Sequence, residues 1–223
     1  MLIQLKNVLG QKELLAVQDL LNDATYIDGK LSAGSVAAQV KNNQEVDSAD
    51  KKIDQLNQIV MGNLVRHKTY QRAVLPNNIA SPFYARYEIG MGYGEHIDDP
   101  IMGTDQRYRS DIAITVFLNS PDEYEGGELC IQTEVGEQKI KYPAGDAVLY
   151  PATTRHQVAK VTQGKRLVAV TWAQSLIKDI EQRDLLYQLA SARDKLLRKK
   201  PDEEYTKQVD LVYVNLVRKW SEL

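Results

Sequence analysis

The sequence predicts a mainly β domain, an antiparallel barrel or sandwich, with helices before and after it. Two observations predict this class. Between residues 83 and 173 the segments are short, rich in β-branched residues and separated by turn residues, with no helical pattern between them. On either side of that stretch, apolar residues instead recur at the three- and four-residue spacing of amphipathic helices.

Composition narrows the classes of function. The chain has 223 residues, enough to bury a core without disulfides, and its single cysteine, Cys130, excludes a disulfide framework or a Cys-rich metal site. A formal charge of −2 gives no bulk attraction to nucleic acid or to anionic lipid. Because no run approaches the roughly 18 apolar residues of a membrane helix, and the N-terminus lacks a signal-peptide core, we expect a cytoplasmic protein.

The first 79 residues are expected to form a helical and extended segment that packs on the core. Leucines at helical spacing predict a helix over residues 11–22, and a cap signal near Asp47 or Ser48 predicts the start of a second helix. Between them, residues 31–41 are small and partly β-branched, which predicts a strand or an extended arm.

Residues 80–175 are expected to form the β core. The turns that separate its strands contain glycine, as in the loops at 125–127, 134–137 and 144–146. The predicted strands lie in the segments FYARYEI, SDIAITVFL, ELCIQTEV, QKIKY, AVLY, HQVAKV and RLVAVTWA.

Residues 176–223 are expected to form a helical C-terminal extension. One helix is predicted over roughly 177–199 and a second over 202–221, with Pro201 between them. The mixed charges of this extension are typical of a solvated face. The same helices could instead cover the barrel, or join two copies of the chain in a homo-oligomer.

The residues that point to chemistry begin with His96 and Asp98. In extended chain, residues i and i+2 point to the same side, so these two side chains can share one metal ion. His156 opens a later predicted strand. Two imidazoles and one carboxylate form the facial triad of non-haem Fe(II) enzymes, which leaves open positions for other ligands. Each residue alone is more often a packed histidine or a turn carboxylate; the combination favours the metal site.

Arg166 adds an anion-binding group to this pattern. It lies on the predicted strand that follows His156, within reach of a co-substrate on the metal. A guanidinium can hold a carboxylate through two parallel hydrogen bonds.

These segments resemble a known family. RYEIGMGYGEHIDDP, YEGGEL and YPAGDAVLYPATTRHQVAKVTQGKRLVAVTW are similar to the Fe(II)/2-oxoglutarate-dependent dioxygenases, and within them to the prolyl/lysyl-hydroxylase-like branch of PKHD-type hydroxylases. The resemblance implies a double-stranded β-helix, or jelly-roll. It also implies that Fe(II) is bound by His96, Asp98 and His156.

The resemblance assigns three more residues to the pocket. Arg166 is expected to bind the far carboxylate of 2-oxoglutarate, Tyr87 to hydrogen-bond this co-substrate, and Tyr93 to line the pocket at the substrate mouth. The implied reaction consumes O2 and 2-oxoglutarate, hydroxylates a peptide or small molecule, and releases succinate and CO2. L-Ascorbate is the expected reductant for iron. The alternative is a cupin-like metal-binding protein, either a non-redox enzyme or a sensor of iron and 2-oxoglutarate.

Overall fold

A computed structural model describes residues 1–103 and 106–222. Over these residues the chain forms five α-helices and seventeen β-strands. The helices are α1 (Gln11–Asn22), α2 (Ile53–Leu64), α3 (Lys68–Val74), α4 (Ile180–Lys199) and α5 (Glu204–Trp220). The strands are β1 (Ile3–Leu5), β2 (Tyr26–Asp28), β3 (Lys41–Asn42), β4 (Gln44–Val46), β5 (Pro76–Ile79), β6 (Phe83–Tyr87), β7 (Gly92–His96), β8 (Ile101–Met102), β9 (Tyr108–Arg109), β10 (Ile112–Phe117), β11 (Tyr124–Gly126), β12 (Leu129–Thr133), β13 (Gly136–Ile140), β14 (Ala147–Pro151), β15 (His156–Val158), β16 (Val161–Gly164) and β17 (Arg166–Ser175).

Two antiparallel sheets make up the core of the fold. The larger has the order β1-β14-β10-β17-β6-β4-β2, with β5 pairing along the far end of β17. The smaller has the order β13-β12-β15-β7-β3. Side chains from both sheets meet in one apolar cluster that includes Phe117, Ile131 and Val168. This arrangement confirms the prediction of a mainly β fold with flanking helices.

The strand β10 shows how the larger sheet is packed on both faces. Ile112 and Ile114 belong to an apolar cluster shared with α1, α2 and α3, whereas Ala113 and Phe117 belong to the cluster between the sheets. Because both faces are covered, all six residues of the strand are buried. This explains the continuous apolar run in the sequence, where a half-exposed strand would alternate.

The N-terminal helices follow the prediction in part. α1 has the predicted bounds, but the second helix begins at Ile53 because side chains hold the preceding residues in turns. The carboxylate of Asp47 accepts from the N–H of Ala49, and that of Asp50 accepts from the N–H of Lys52, each at 2.9 Å. The sequence pattern also missed α3, which starts directly after His67.

Residues 31–41 were predicted as a strand or an extended arm, and most of them form neither. Two short 3-10 turns occupy Gly29–Ser32 and Ala37–Gln39, and only Lys41 begins a strand. Small residues such as the alanines here have little β-propensity, which accounts for the turns. Residues 41–46, called the crossing segment below, then pair with β7 of the smaller sheet and with β6 of the larger.

The C-terminal extension is a helical hairpin, close to the predicted bounds. α4 packs on α3 and buries Leu186 and Ala190. α5 packs on α4 and, of its residues, buries Thr206 alone. Within the described part of the chain, no helix has the length and apolar character that crossing a membrane requires.

Candidate metal centre

Two neighbouring strands of the smaller sheet bring the two predicted histidines together. β7 and β15 are antiparallel, and His96 lies directly opposite His156 in their register. The centroids of the two imidazole rings are 4.3 Å apart. Asp98 follows β7 by two residues, so its carboxylate points to the same side as His96. All three side chains line one cavity between the sheets.

Hydrogen bonds to the backbone orient both rings in the same way. Nδ1 of His96 lies 2.8 Å from the carbonyl oxygen of Gly94, and Nδ1 of His156 lies 2.9 Å from that of Thr154. Because a carbonyl oxygen only accepts, each Nδ1 carries a proton, and in the neutral ring Nε2 is then the nitrogen that can bind a metal. The two Nε2 atoms lie 3.9 and 3.8 Å from Oδ1 of Asp98. The three candidate donor atoms are all within 4.8 Å of one another.

The electrostatics of this cluster fit a cation. Burial, together with the neighbouring His156, lowers the pKa of His96 to about 4, so the ring is neutral at pH 7. Burial also raises the pKa of Asp98, whose Oδ2 atom has no hydrogen-bond partner. A buried carboxylate with an unpartnered oxygen is costly unless a positive charge lies next to it. A divalent metal ion bound by these three atoms would supply that charge.

Arg166 is a buried cation in the same cavity. It begins β17, lies opposite Tyr87 of β6, and is 1% exposed. Its guanidinium carbon is 5.0 Å from the ring centroid of Tyr87 and 6.0 Å from that of Phe117. Nε and Nη1 have no hydrogen-bond partner, and none of the ion pairs among the described residues includes Arg166. A guanidinium buried in this way fits an anionic ligand that brings its own carboxylate.

The cavity around these groups has a volume of about 710 Å³. Burial raises the pKa of Tyr87 to about 12, and it also raises the pKa values of Tyr93 and Tyr150, so all three phenols stay neutral donors. The ring of Tyr93 lies on that of His96, with centroids 3.7 Å apart and planes 16° apart. Such a cavity can hold a metal ion, an anionic co-substrate and part of a further ligand.

The structure brings all six predicted site residues to the same cavity. They are His96, Asp98, His156, Arg166, Tyr87 and Tyr93. Sequence reasoning missed Lys41 and Glu45, which line the cavity from the crossing segment, and it missed Tyr150, whose ring edge meets His156 at 5.1 Å. No local pattern marked the first two residues, because lysine and glutamate in a polar segment are usually exposed.

Two glycines before His96 have different roles in the structure. Gly90 does adopt a left-handed conformation, with φ of +84°. Gly94 instead lies within β7, where an added Cβ would come within 2.8 Å of the Cβ of Val40. Its lack of a side chain allows the N-terminal segment to approach the strand that carries His96.

Comparison with known proteins identifies relatives of this architecture. A family model described as the 2OG-Fe(II) oxygenase superfamily matches residues 82–174. A PKHD-type hydroxylase of Thioalkalivibrio sulfidiphilus is 46% identical over 224 residues, covering 100% of both chains. A second PKHD-type hydroxylase, from Thermosynechococcus vestitus, is 42% identical over 227 residues, again covering 100% of both.

Solved structures share the fold at lower identity. A prolyl hydroxylase from Trichoplax adhaerens, in complex with a peptide fragment of a hypoxia inducible factor, aligns with a TM-score of 0.56 at 19% identity. That alignment covers 82% of this chain and 86% of the other. A Pseudomonas putida prolyl-4-hydroxylase aligns with a TM-score of 0.53 at 16% identity, covering 78% and 92%. These likenesses show the double-stranded β-helix that the resemblance implied.

Proposed function

The chain belongs to the PKHD-type hydroxylases of the 2OG-Fe(II) oxygenase superfamily, and we propose that His96, Asp98 and His156 hold its Fe(II). The protein is accordingly an Fe(II)- and 2-oxoglutarate-dependent dioxygenase. One observation carries the assignment of ligands. Both imidazoles have their Nδ1 protons occupied by backbone carbonyls, so that both Nε2 lone pairs face the carboxylate of Asp98.

We assign the co-substrate to the other end of the cavity. The guanidinium of Arg166, which has nitrogens without a protein partner, binds the far carboxylate of 2-oxoglutarate, and the neutral hydroxyl of Tyr87, opposite it on β6, is a further donor. Since both residues are buried, water does not compete for this carboxylate. Tyr93 shapes the pocket beside His96.

The division of labour follows from these positions. Bound iron and 2-oxoglutarate supply the oxidising chemistry, which consumes O2 and releases succinate and CO2 with hydroxylation of the substrate. The protein fixes the orientation of the two histidine ligands, orients the co-substrate through Arg166, and surrounds metal and co-substrate with buried side chains. Ser32, Ala37 and Ile101 also line the cavity.

The cupin-like alternative is not favoured. The full-length relatives are PKHD-type hydroxylases, and a non-redox metal site would have no use for a buried, unpaired Arg166 in the same cavity. L-Ascorbate as a reductant for iron remains an expectation from the family, to be tested by omitting it from the assay.

An anaerobic titration tests the proposed function. Addition of Fe(II) and then 2-oxoglutarate should produce the weak visible charge-transfer band of the chelated complex. The band should be lost in His96→Ala and weakened in Arg166→Ala. A band that persists unchanged in His96→Ala would refute the ligand assignment, and bound metal with no band would refute the dioxygenase chemistry.

A further inference from the structure

A buried ion pair lines the cavity from outside the matched catalytic segment. Lys41 and Glu45 lie on the crossing segment, whereas the superfamily match begins at residue 82. They are 7% and 5% exposed, and Nζ of Lys41 donates to Oε1 of Glu45 at 2.6 Å and to Oγ of Ser32 at 2.8 Å. A buried ion pair contributes little to stability compared with apolar residues in its place. Its position in the wall of the cavity therefore points to a role in the site.

The pair is connected to a metal ligand through one aromatic ring. Lys41 lies opposite Tyr93 in the register of β3 and β7, and its Nζ is 5.4 Å from the ring centroid. The same ring is stacked on His96, with the ring centroids 3.7 Å apart. Cation, phenol ring and imidazole thus follow one another from the crossing segment to the proposed iron ligand. The ammonium group is within the distance of about 6 Å at which a cation and an aromatic ring attract each other, and the two rings are in direct, nearly parallel contact.

We propose that Lys41, held by Glu45, is a positioning residue for the metal centre. Its ammonium group holds the Tyr93 ring in place, and that ring limits rotation of the His96 imidazole about its single hydrogen bond to Gly94. Glu45 accepts a hydrogen bond from the ammonium group and so holds it in this position. The inference rests on the proposed role of His96 as a ligand.

Co(II) binding to the full-length protein tests the proposal. Co(II) occupies sites of this kind, and its visible d–d spectrum reports the arrangement of the ligands. In Lys41→Met, we expect the dissociation constant for Co(II) to rise about threefold to tenfold and the d–d bands to shift. Such changes are typical of residues that orient a metal ligand without binding the metal themselves. Lys41→Arg, which keeps the cation, should restore both values toward those of the wild type.

A double variant separates positioning from folding. Lys41→Met with Glu45→Met removes both buried charges, so it should fold even where Lys41→Met alone does not. The proposal requires that it still bind Co(II) more weakly, with the shifted spectrum. Tyr93→Leu should reproduce that change, and adding Lys41→Met to Tyr93→Leu should weaken binding no further, because both act through one ring.

The helical hairpin supplies a matched control. Arg193 pairs with Asp210 at 2.6 Å and lies 4.8 Å from the ring centroid of Tyr213, the same combination of groups far from the cavity. Arg193→Met should leave the Co(II) affinity and spectrum unchanged. If Lys41→Met and the double variant also leave both unchanged while the wild type binds Co(II), the positioning role is refuted and the metal site stands. If the wild type binds no Co(II), both proposals fall.

Discussion

Replacing Arg166 with methionine should change the stability and the co-substrate affinity of the protein in opposite directions. The guanidinium is 1% exposed and has two nitrogen atoms without partners. An unsatisfied buried polar group costs about 1–3 kcal/mol. Methionine has a similar length and no polar hydrogen, so the metal-free variant should be more stable by about that amount. For a chain of this size, the melting temperature should rise by about 2–12 °C.

The affinity for 2-oxoglutarate should fall steeply in the same variant. A hydrogen bond to a charged group is worth about 1.5–3 kcal/mol. Loss of two of them corresponds to about 3–6 kcal/mol, or a dissociation constant about 10²–10⁴ times higher. Differential scanning fluorimetry measures the change in melting temperature. Anaerobic titration of the Fe(II) protein with 2-oxoglutarate measures the change in the dissociation constant.

Arg183 provides the control for this experiment. It is also 1% exposed and its Nε has no partner, but its Nη1 donates to the carbonyl oxygens of Ile177 and Lys178 at 2.7 and 3.1 Å. Arg183→Met should therefore lower the melting temperature and leave 2-oxoglutarate affinity unchanged. The reasoning is refuted if Arg166→Met binds 2-oxoglutarate as the wild type does, or if it loses stability as Arg183→Met does.

Three further predictions concern the metal ligands and the C-terminal hairpin. The Asp98→Asn variant should bind Co(II) at least about 100-fold more weakly in calorimetry. Its metal-free melting temperature should not fall, because the substitution removes a buried charge. Unchanged Co(II) affinity would exclude Asp98 as a ligand. Because the pKa of His96 is 6.5 in the unfolded chain and about 4 in the metal-free fold, protonation favours unfolding. The melting temperature of the wild type should therefore fall as the pH drops from 6.5 towards 4, and that of the His96→Asn variant should fall less. An equal fall in the two proteins would contradict this prediction. Association of two copies through the terminal helices is still a prediction. We expect Leu211, which is 63% exposed on α5, to lie in that contact, so the Leu211→Glu variant should be monomeric in light scattering. A monomeric wild type would contradict the prediction.

The sequence indicated which residues line the cavity, but not how they are arranged in it. The proximity of His96 and Asp98 follows from two-residue spacing alone. That His96 faces His156 depends on the pairing of β7 with β15, which long-range register decides and local sequence does not encode.

The errors in the fold have similar causes. The helix α3 has seven residues and ends at Leu75 in a left-handed conformation with φ of 45°, so it gives neither a long periodic stripe nor a glycine stop signal. The sequence pattern did not mark Lys41 and Glu45. Their side chains point inward because the crossing segment pairs with a strand of each sheet, and local sequence does not encode that pairing. The strand β10 was predictable because burial on both faces leaves a continuous apolar run.

The pairing of the N-terminal strands has a consequence for any shortened form of the protein. β1 covers the edge of β14, β3 covers that of β7, and β4 covers that of β6. A fragment of residues 80–175 would present these three edges with unpaired N–H and C=O groups, each a template for strands of other molecules. We therefore expect such a fragment to aggregate instead of yielding a smaller dioxygenase, even though it contains every proposed iron ligand.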